Sequence, residues 1–135
     1  RLAINLGFSA GPAIGGIIVG YEIGRQLKKE TIFAERLNDQ LVLRRGFKIN
    51  ENSNVLIVED VITTGKSALE CLNLIKKSKS NLAGYACIID RSNNNSLIQD
   101  EIISQVKLKI ETFKSNELPE DVKKIPSVKP GSRNF

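Results

Sequence analysis

Histidine is absent from this chain of 135 residues. That absence removes Ser-His-Asp and Cys-His nucleophilic catalysis and His-ligated metal chemistry together, because each needs an imidazole as base or ligand. Any catalysis must run on carboxylates, hydroxyls, Lys, Arg, backbone amides or a hard cation. Tryptophan is absent too, and there are only 2 Tyr and 5 Phe. The Lys and Arg residues are scattered, not gathered in a stripe with interleaved aromatics. The net charge of +5 therefore suits anionic ligands without pointing to nucleic acid as a partner. Cys71 and Cys87 form neither a C-x-x-C pair nor a metal spacing and read as small core residues. No apolar run reaches the roughly 18 residues of a membrane span, and no signal-peptide pattern opens the chain. The expectation is a cytoplasmic protein with no membrane partner.

What is present is 41% apolar sequence, enough for one core, so residues 1–135 are read as a single domain. The chain opens at Arg1 and passes almost at once into an apolar segment, so an N-terminal region is expected to be missing.

Leu2 to Phe8 reads as a first strand, ending in the turn signal Ser9-Ala10-Gly11-Pro12. Ile14, Ile17, Ile18 and Tyr21 recur at helical spacing, which predicts a helix to about Leu27, with Gly20 and Gly24 counting against it. Thr31 to Ala34 is a short strand, and the polar segment 35–48 is an excursion, a loop or a hairpin. Val55 to Val58 is a continuous apolar run, the mark of a strand buried on both faces of a parallel sheet. After Thr63-Thr64-Gly65 a second helix carries Ala68, Leu69, Leu72 and Ile75 on one face and closes on Lys76, Lys77 and Lys79. Leu82 to Asp90 is another strand, Arg91 to Gln99 a surface loop, and Val106, Leu108, Ile110 and Thr112 alternate as a last strand. Pro119 can open a short helix, and Pro130 to Arg133 is irregular. The alternation of strands and helices predicts an α/β fold whose central, mostly parallel sheet is flanked by helices. Ligands of such sheets bind at the carboxyl ends of the strands.

The segment richest in chemistry is Val55 to Ser67. Glu59 and Asp60 are adjacent like charges just past a buried strand, which is unfavourable unless they meet solvent, a cation or hydroxyls. Thr63, Thr64, Gly65, Lys66 and Ser67 then open a helix, whose N-terminal amides and hydroxyls suit a phosphate. One end of the segment thus wants hydroxyls and the other a phosphate, and a ribose 5-phosphate offers both. The plainer reading is a strand ending in acids before an ordinary capped helix. Gly65-Lys66-Ser67 also imitates the end of a P-loop, but that motif needs Gly where this chain has Asp60, and a carboxylate there would repel a triphosphate.

Val55 to Ser67 resembles the signature with which type I phosphoribosyltransferases bind phosphoribosyl pyrophosphate (PRPP). Gly11 to Gly16, Ile32 to Arg36, Leu43 to Phe47, Ile89 to Ser92 and Lys129 to Arg133 look like the orotate phosphoribosyltransferases in particular. The resemblance implies the type I phosphoribosyltransferase fold. It also implies transfer of phosphoribosyl from PRPP to orotate in pyrimidine (UMP) biosynthesis, with Mg²⁺ held mainly by PRPP and a homodimer sharing its active sites. On this resemblance Glu59 and Asp60 are catalytic, and Glu59, Asp60, Val61, Ile62, Thr63, Thr64, Gly65, Lys66 and Ser67 bind PRPP. Thr63 and Arg91 would contact orotate, and Ala13, Ile14, Gly15 and Gly16 would form the pyrophosphate loop. Segment 35–48 would be a mobile loop presenting Arg36, Arg44 and Arg45 to pyrophosphate, and the missing N-terminal part would be a hood over the base. Read without the resemblance, Arg91 is a surface ion pair with Asp90 or a neighbour, Gly11 to Gly16 a plain turn, and the arginines a solvated face. The chain departs from many family members at Gly15, where they have Lys, and in segment 35–48, where they have Lys and His. Another PRPP-dependent transferase, for a purine or uracil, and a non-catalytic PRPP sensor stand as alternatives.

Overall fold

The structure, a computed structural model, describes residues 6–9, 14–93, 96–111, 113–114 and 116–126. The element order is β1 (Leu6–Ser9), α1 (Ile14–Leu27), β2 (Glu30–Leu37), β3 (Gln40–Leu43), β4 (Asn54–Ile62), α2 (Lys66–Lys77), β5 (Asn81–Asp90), β6 (Ile102–Lys107) and α3 (Glu120–Lys123). The strands form one six-stranded sheet in the order β3-β2-β1-β4-β5-β6. All neighbours are parallel except β2 and β3, an antiparallel hairpin at one edge. The expected α/β architecture is therefore present.

The two long helices cover opposite faces, and strand alternation decides which side chain meets which helix. Ile32 and Ala34 of β2, Val55 and Ile57 of β4 and Tyr85 and Cys87 of β5 share one core with Ala68, Cys71 and Ile75 of α2. Leu56 and Val58 are just as buried but lie on the other face of β4, which α1 packs against. This explains the unbroken apolar run Val55–Val58. Both cysteines are free and buried. Burial pushes the Cys71 thiol strongly up and the Cys87 thiol to about 11, so neither offers a thiolate at neutral pH.

Helix α1 buries a different stripe from the one its apolar spacing predicts. Ile18 and Tyr21 are each 64% exposed, whereas Gly16, Gly20 and Gly24 are buried. A Cβ on Gly24 would stand 1.9 Å from Thr31 Oγ1, and that hydroxyl donates to Gly20 O at 3.2 Å. The glycines that weigh against a helix are what lets this one lie close on β2.

Three boundaries differ from the sequence reading. Strand β2 runs on to Leu37 because β3 folds back and pairs with Ala34 to Leu37. Strand β4 continues to Ile62 because β5 pairs with it that far. The last strand starts at Ile102 and stops at Lys107. The Leu108 N–H donates to Asp90 O at 2.8 Å, and β5 ends there, so Ile110 has no strand to pair with despite continuing the alternation. Leu2 to Asn5, Thr112 and Pro130 to Arg133 lie outside the described residues.

Candidate active site

The chain leaves β1 through α1 toward β2 on one side, and leaves β4 through α2 toward β5 on the other. Adjacent strands whose connections diverge open a crevice between their carboxyl ends, the usual ligand position of open α/β sheets. The register puts Ser9 of β1 beside Val58 of β4, one residue before Glu59.

A cleft of about 200 Å³ opens here, lined by Glu59, Asp60, Val61, Ile62, Thr63, Thr64, Gly65, Lys66 and Ser67. The two acids sit inside the strand, not beyond it, so they point to opposite faces of the sheet. Glu59 turns toward the α2 side. It is 7% exposed, and its Oε1 is buried with no hydrogen-bond partner among the described residues. Burial, reinforced by the charges of Asp60 and Glu70, pushes its carboxyl up to about 7. Asp60 is half-buried, and its Oδ1 accepts the Val61 N–H at 2.9 Å. Neither acid joins an ion pair among the described residues. Two carboxylates left without cations at the mouth of a crevice are poised for hydroxyl donors or a metal-bearing ligand.

Beyond Ile62 the backbone turns through Gly65, whose φ of 76° is left-handed, and enters α2 without a side-chain cap. The Leu69 N–H closes on Gly65 O at 3.0 Å, but the Lys66 N–H reaches Thr64 Oγ1 only at 3.4 Å, a weak bond. The first-turn amides of α2 therefore remain available to an anion, with Thr63, Thr64 and Lys66 exposed around them and Ser67 half-buried. Gly65 has a second constraint: a Cβ there would lie 2.7 and 2.8 Å from Cγ1 and Cδ1 of Ile98. The loop that brings Ile98 is tied down by Arg91 N–H to Ile62 O at 2.8 Å and Leu97 N–H to Thr64 O at 2.9 Å. The segment read as a plain surface loop is thus packed against the turn that forms the cleft.

Arg91 is half-buried at the start of that loop and is not among the residues that line the cleft. It does not pair with Asp90, whose Oδ1 is taken by the Ser92 N–H at 2.9 Å and the Ser92 hydroxyl at 2.6 Å. The Arg91 Nε is buried without a partner. Asp90 and Ser92 belong to the stretch Ile89 to Ser92 that carries the resemblance, and their bond to each other is a local Asp-x-Ser side-chain pattern that can be read there.

The arginines of segment 35–48 are all engaged. The hairpin turns at Asn38 and Asp39, both left-handed with φ of 47° and 61°. Arg36 donates to Asp39 O at 2.6 Å and to Glu70 Oε2 of α2 at 2.5 Å. Arg45 Nε donates to Glu35 Oε1 at 2.7 Å. Arg44 stands 3.3 Å from Glu35 Oε2, an ion pair without hydrogen-bond geometry, since that oxygen has no hydrogen-bond partner. Glu35 and Glu70 went unremarked as partners because ion pairing across strands and helices leaves no local pattern. Of the expected pyrophosphate loop, Ile14, Gly15 and Gly16 form the first turn of α1, and Gly11 to Ala13 lie outside the described residues.

Residues 10–123 match the family described as phosphoribosyl transferase domain, and the chain belongs to that family. An orotate phosphoribosyltransferase of Thermoanaerobacter sp. is 48% identical over 125 residues, covering 93% of this chain. The match spans 66% of that protein's length, so this chain is similar to a part of it. Among solved structures, the adenine phosphoribosyltransferase of Rhodothermus marinus superposes with a TM-score of 0.67 at 16% identity, over 80% of this chain and 72% of that one. The adenine phosphoribosyltransferase of Thermoanaerobacter pseudethanolicus gives 0.66 at 16% identity, over 78% and 70%. At such identities these likenesses speak for the fold, and the type I phosphoribosyltransferase fold is the one this sheet adopts.

Proposed function

We propose that this chain carries the PRPP site of an orotate phosphoribosyltransferase, which forms orotidine 5′-monophosphate and pyrophosphate. The observation that carries the reading is the cleft of Glu59 to Ser67, with unpaired acids at one end and uncapped helix amides at the other. The orotate phosphoribosyltransferase at 48% identity supports the choice of base.

In this reading the amides at the start of α2, with Thr63, Thr64, Lys66 and Ser67, hold the 5′-phosphate. Glu59 and Asp60 accept from the ribose hydroxyls. As the C1′–pyrophosphate bond loosens, positive charge grows on the ribose, and the adjacent carboxylates favour it. The ring nitrogen of orotate forms the new bond to C1′ and gives up its proton to the departing pyrophosphate or to solvent, while pyrophosphate leaves with the old bonding pair. Arg44 and Arg45, more exposed than Arg36, together with Ala13 to Gly16, meet the pyrophosphate, which requires segment 35–48 to move toward the cleft. Arg91 forks onto the orotate carboxylate, with Thr63 beside it.

Mg²⁺ fits this donor set as a shared ion. The buried, partnerless Glu59 Oε1 suits a cationic ligand, yet no group of three His, Cys, Asp or Glu residues that could hold a metal occurs among the described residues. Most ligands would therefore come from PRPP, and the ion would neutralise the leaving pyrophosphate. We further propose a cytoplasmic homodimer with shared active sites, completed by an N-terminal hood. Exposed Ile18 and Tyr21 on α1 are apolar surface that a second copy could cover, and no helix among the described residues is long and apolar enough to cross a membrane.

The test is incubation of the full-length protein with PRPP, Mg²⁺ and orotate, uracil, adenine or hypoxanthine, with nucleotide formation as the readout. Orotate should be consumed and the others spared. Preference for a base without a carboxylate would overturn the role of Arg91 and with it the assigned substrate, and PRPP binding without any turnover would leave a sensor.

A further inference from the structure

Glu70 has no place in the mechanism above, yet it is where a charged side chain of the hairpin arm is tied to α2. It sits on the second turn of α2, with a side chain 25% exposed, and bonds Arg36, itself 30% exposed. Arg36 uses its other terminal nitrogen on Asp39 O, at the tip of its own hairpin. One guanidinium thus bridges the β2–β3 turn and α2, and Leu41, opposite Arg36 in the hairpin, is buried in the core below. Arg44 and Arg45 differ: both answer to Glu35 on the same hairpin, so their pairs cannot fix the arm relative to the cleft. On the other side Glu70 is near enough to Glu59 to add to the rise of its pKa.

We infer that Glu70 is a positioning residue: by clasping Arg36 it sets where the arginine arm stands over the PRPP cleft, and Arg36 serves as that clasp. This rests on the PRPP reading of the site. A clasp whose two halves act only through each other makes a specific demand, because removing either should do the same damage and removing both should do no more.

The experiment compares Glu70→Met, Arg36→Met and the double variant in the full-length protein. Each single variant should raise the KM for PRPP roughly tenfold, the lower end for a hydrogen bond between charged groups, since the pair is partly exposed. The KM for orotate should hold, and the double variant should match the singles. Effects that multiply in the double variant would mean that Arg36 contacts the ligand on its own account and would overturn the clasp. So would a Glu70→Met enzyme with wild-type KM and only a lower melting temperature. A readout that needs no turnover separates this inference from the functional one: amide exchange at residues 37–43 should quicken in both single variants while β4 stays protected. If exchange there is unchanged, the clasp is wrong even in an active enzyme. If exchange quickens in a protein that does not use orotate, the substrate reading has failed and the clasp has not.

Discussion

The turn from β4 into α2 and the hairpin arm of β2 and β3 are both rich in polar groups, but they treat those groups in opposite ways. In the arm each arginine has an acid of this chain opposite it: Glu35 for Arg44 and Arg45, Glu70 for Arg36. In the turn a buried carboxylate oxygen has no partner and a helix starts uncapped. Unsatisfied buried groups cost stability; the arm's own unbonded oxygen, Glu35 Oε2, still has the Arg44 cation 3.3 Å away, whereas Glu59 has no counter-charge among the described residues, which marks the turn as the ligand's. The arm can fold without ligand, and the turn is completed by one.

The sharpest way to break this contrast is at Asp60. Asp60→Asn keeps the shape and the bond to the Val61 amide but removes the charge, so turnover should fall by about two to three orders of magnitude while the melting temperature barely moves. Full turnover would end its catalytic role. Next is Gly65→Ala, which combines a φ of 76° with a Cβ under 3 Å from Ile98. Thermal or denaturant unfolding should show a loss of roughly 1–3 kcal/mol, with PRPP affinity falling alongside. Adding Ile98→Val should recover only part, because it relieves the contact and not the backbone.

Glu59 offers a pH test. Its folded-state pKa is raised from 4.5 to about 7, so the folded protein holds this proton more tightly than the unfolded chain does. That contribution to stability is fully present below about 4.5 and is lost as the pH rises through 7. Glu59→Gln should therefore unfold less readily than the wild type at pH 8, by up to about 3 kcal/mol, and show little difference at pH 4. The same variant should bind PRPP more weakly, so stability and function move in opposite directions. Equal stability at both pH values would mean that the carboxyl is better solvated than its burial suggests. The smallest effect belongs to the arm: Arg45→Ala should change stability by roughly 0.5 kcal/mol or less, because its pair with Glu35 is exposed. A large loss would mean that the pair with Glu35 holds the arm in place and would blur the contrast.

Much of this was legible in the sequence for identifiable reasons. The run Val55–Val58 announces a doubly covered strand, and acids followed by Thr-Thr-Gly at a helix start announce a polar crevice, because strand burial and helix-end chemistry are local properties. All the residues read there as PRPP contacts line one cleft. What escaped depends on contacts distant in the chain. The glycine face of α1 is explained only by Thr31. The opposed directions of Glu59 and Asp60 follow from β5 extending the strand past them. Ile98 closes over Gly65 from a loop whose Asn and Ser content reads as solvent-facing. The alternation past Lys107 misleads because periodicity reports a preference for a strand and cannot supply a neighbour to pair with.

The most direct test is an amide NMR titration of the full-length protein with Mg²⁺ and PRPP. Saturable shifts concentrated at residues 60–67, with smaller ones at the start of α1 and in the arm, are the predicted outcome. Shifts that leave those amides untouched, or a spectrum indifferent to PRPP, would contradict the account.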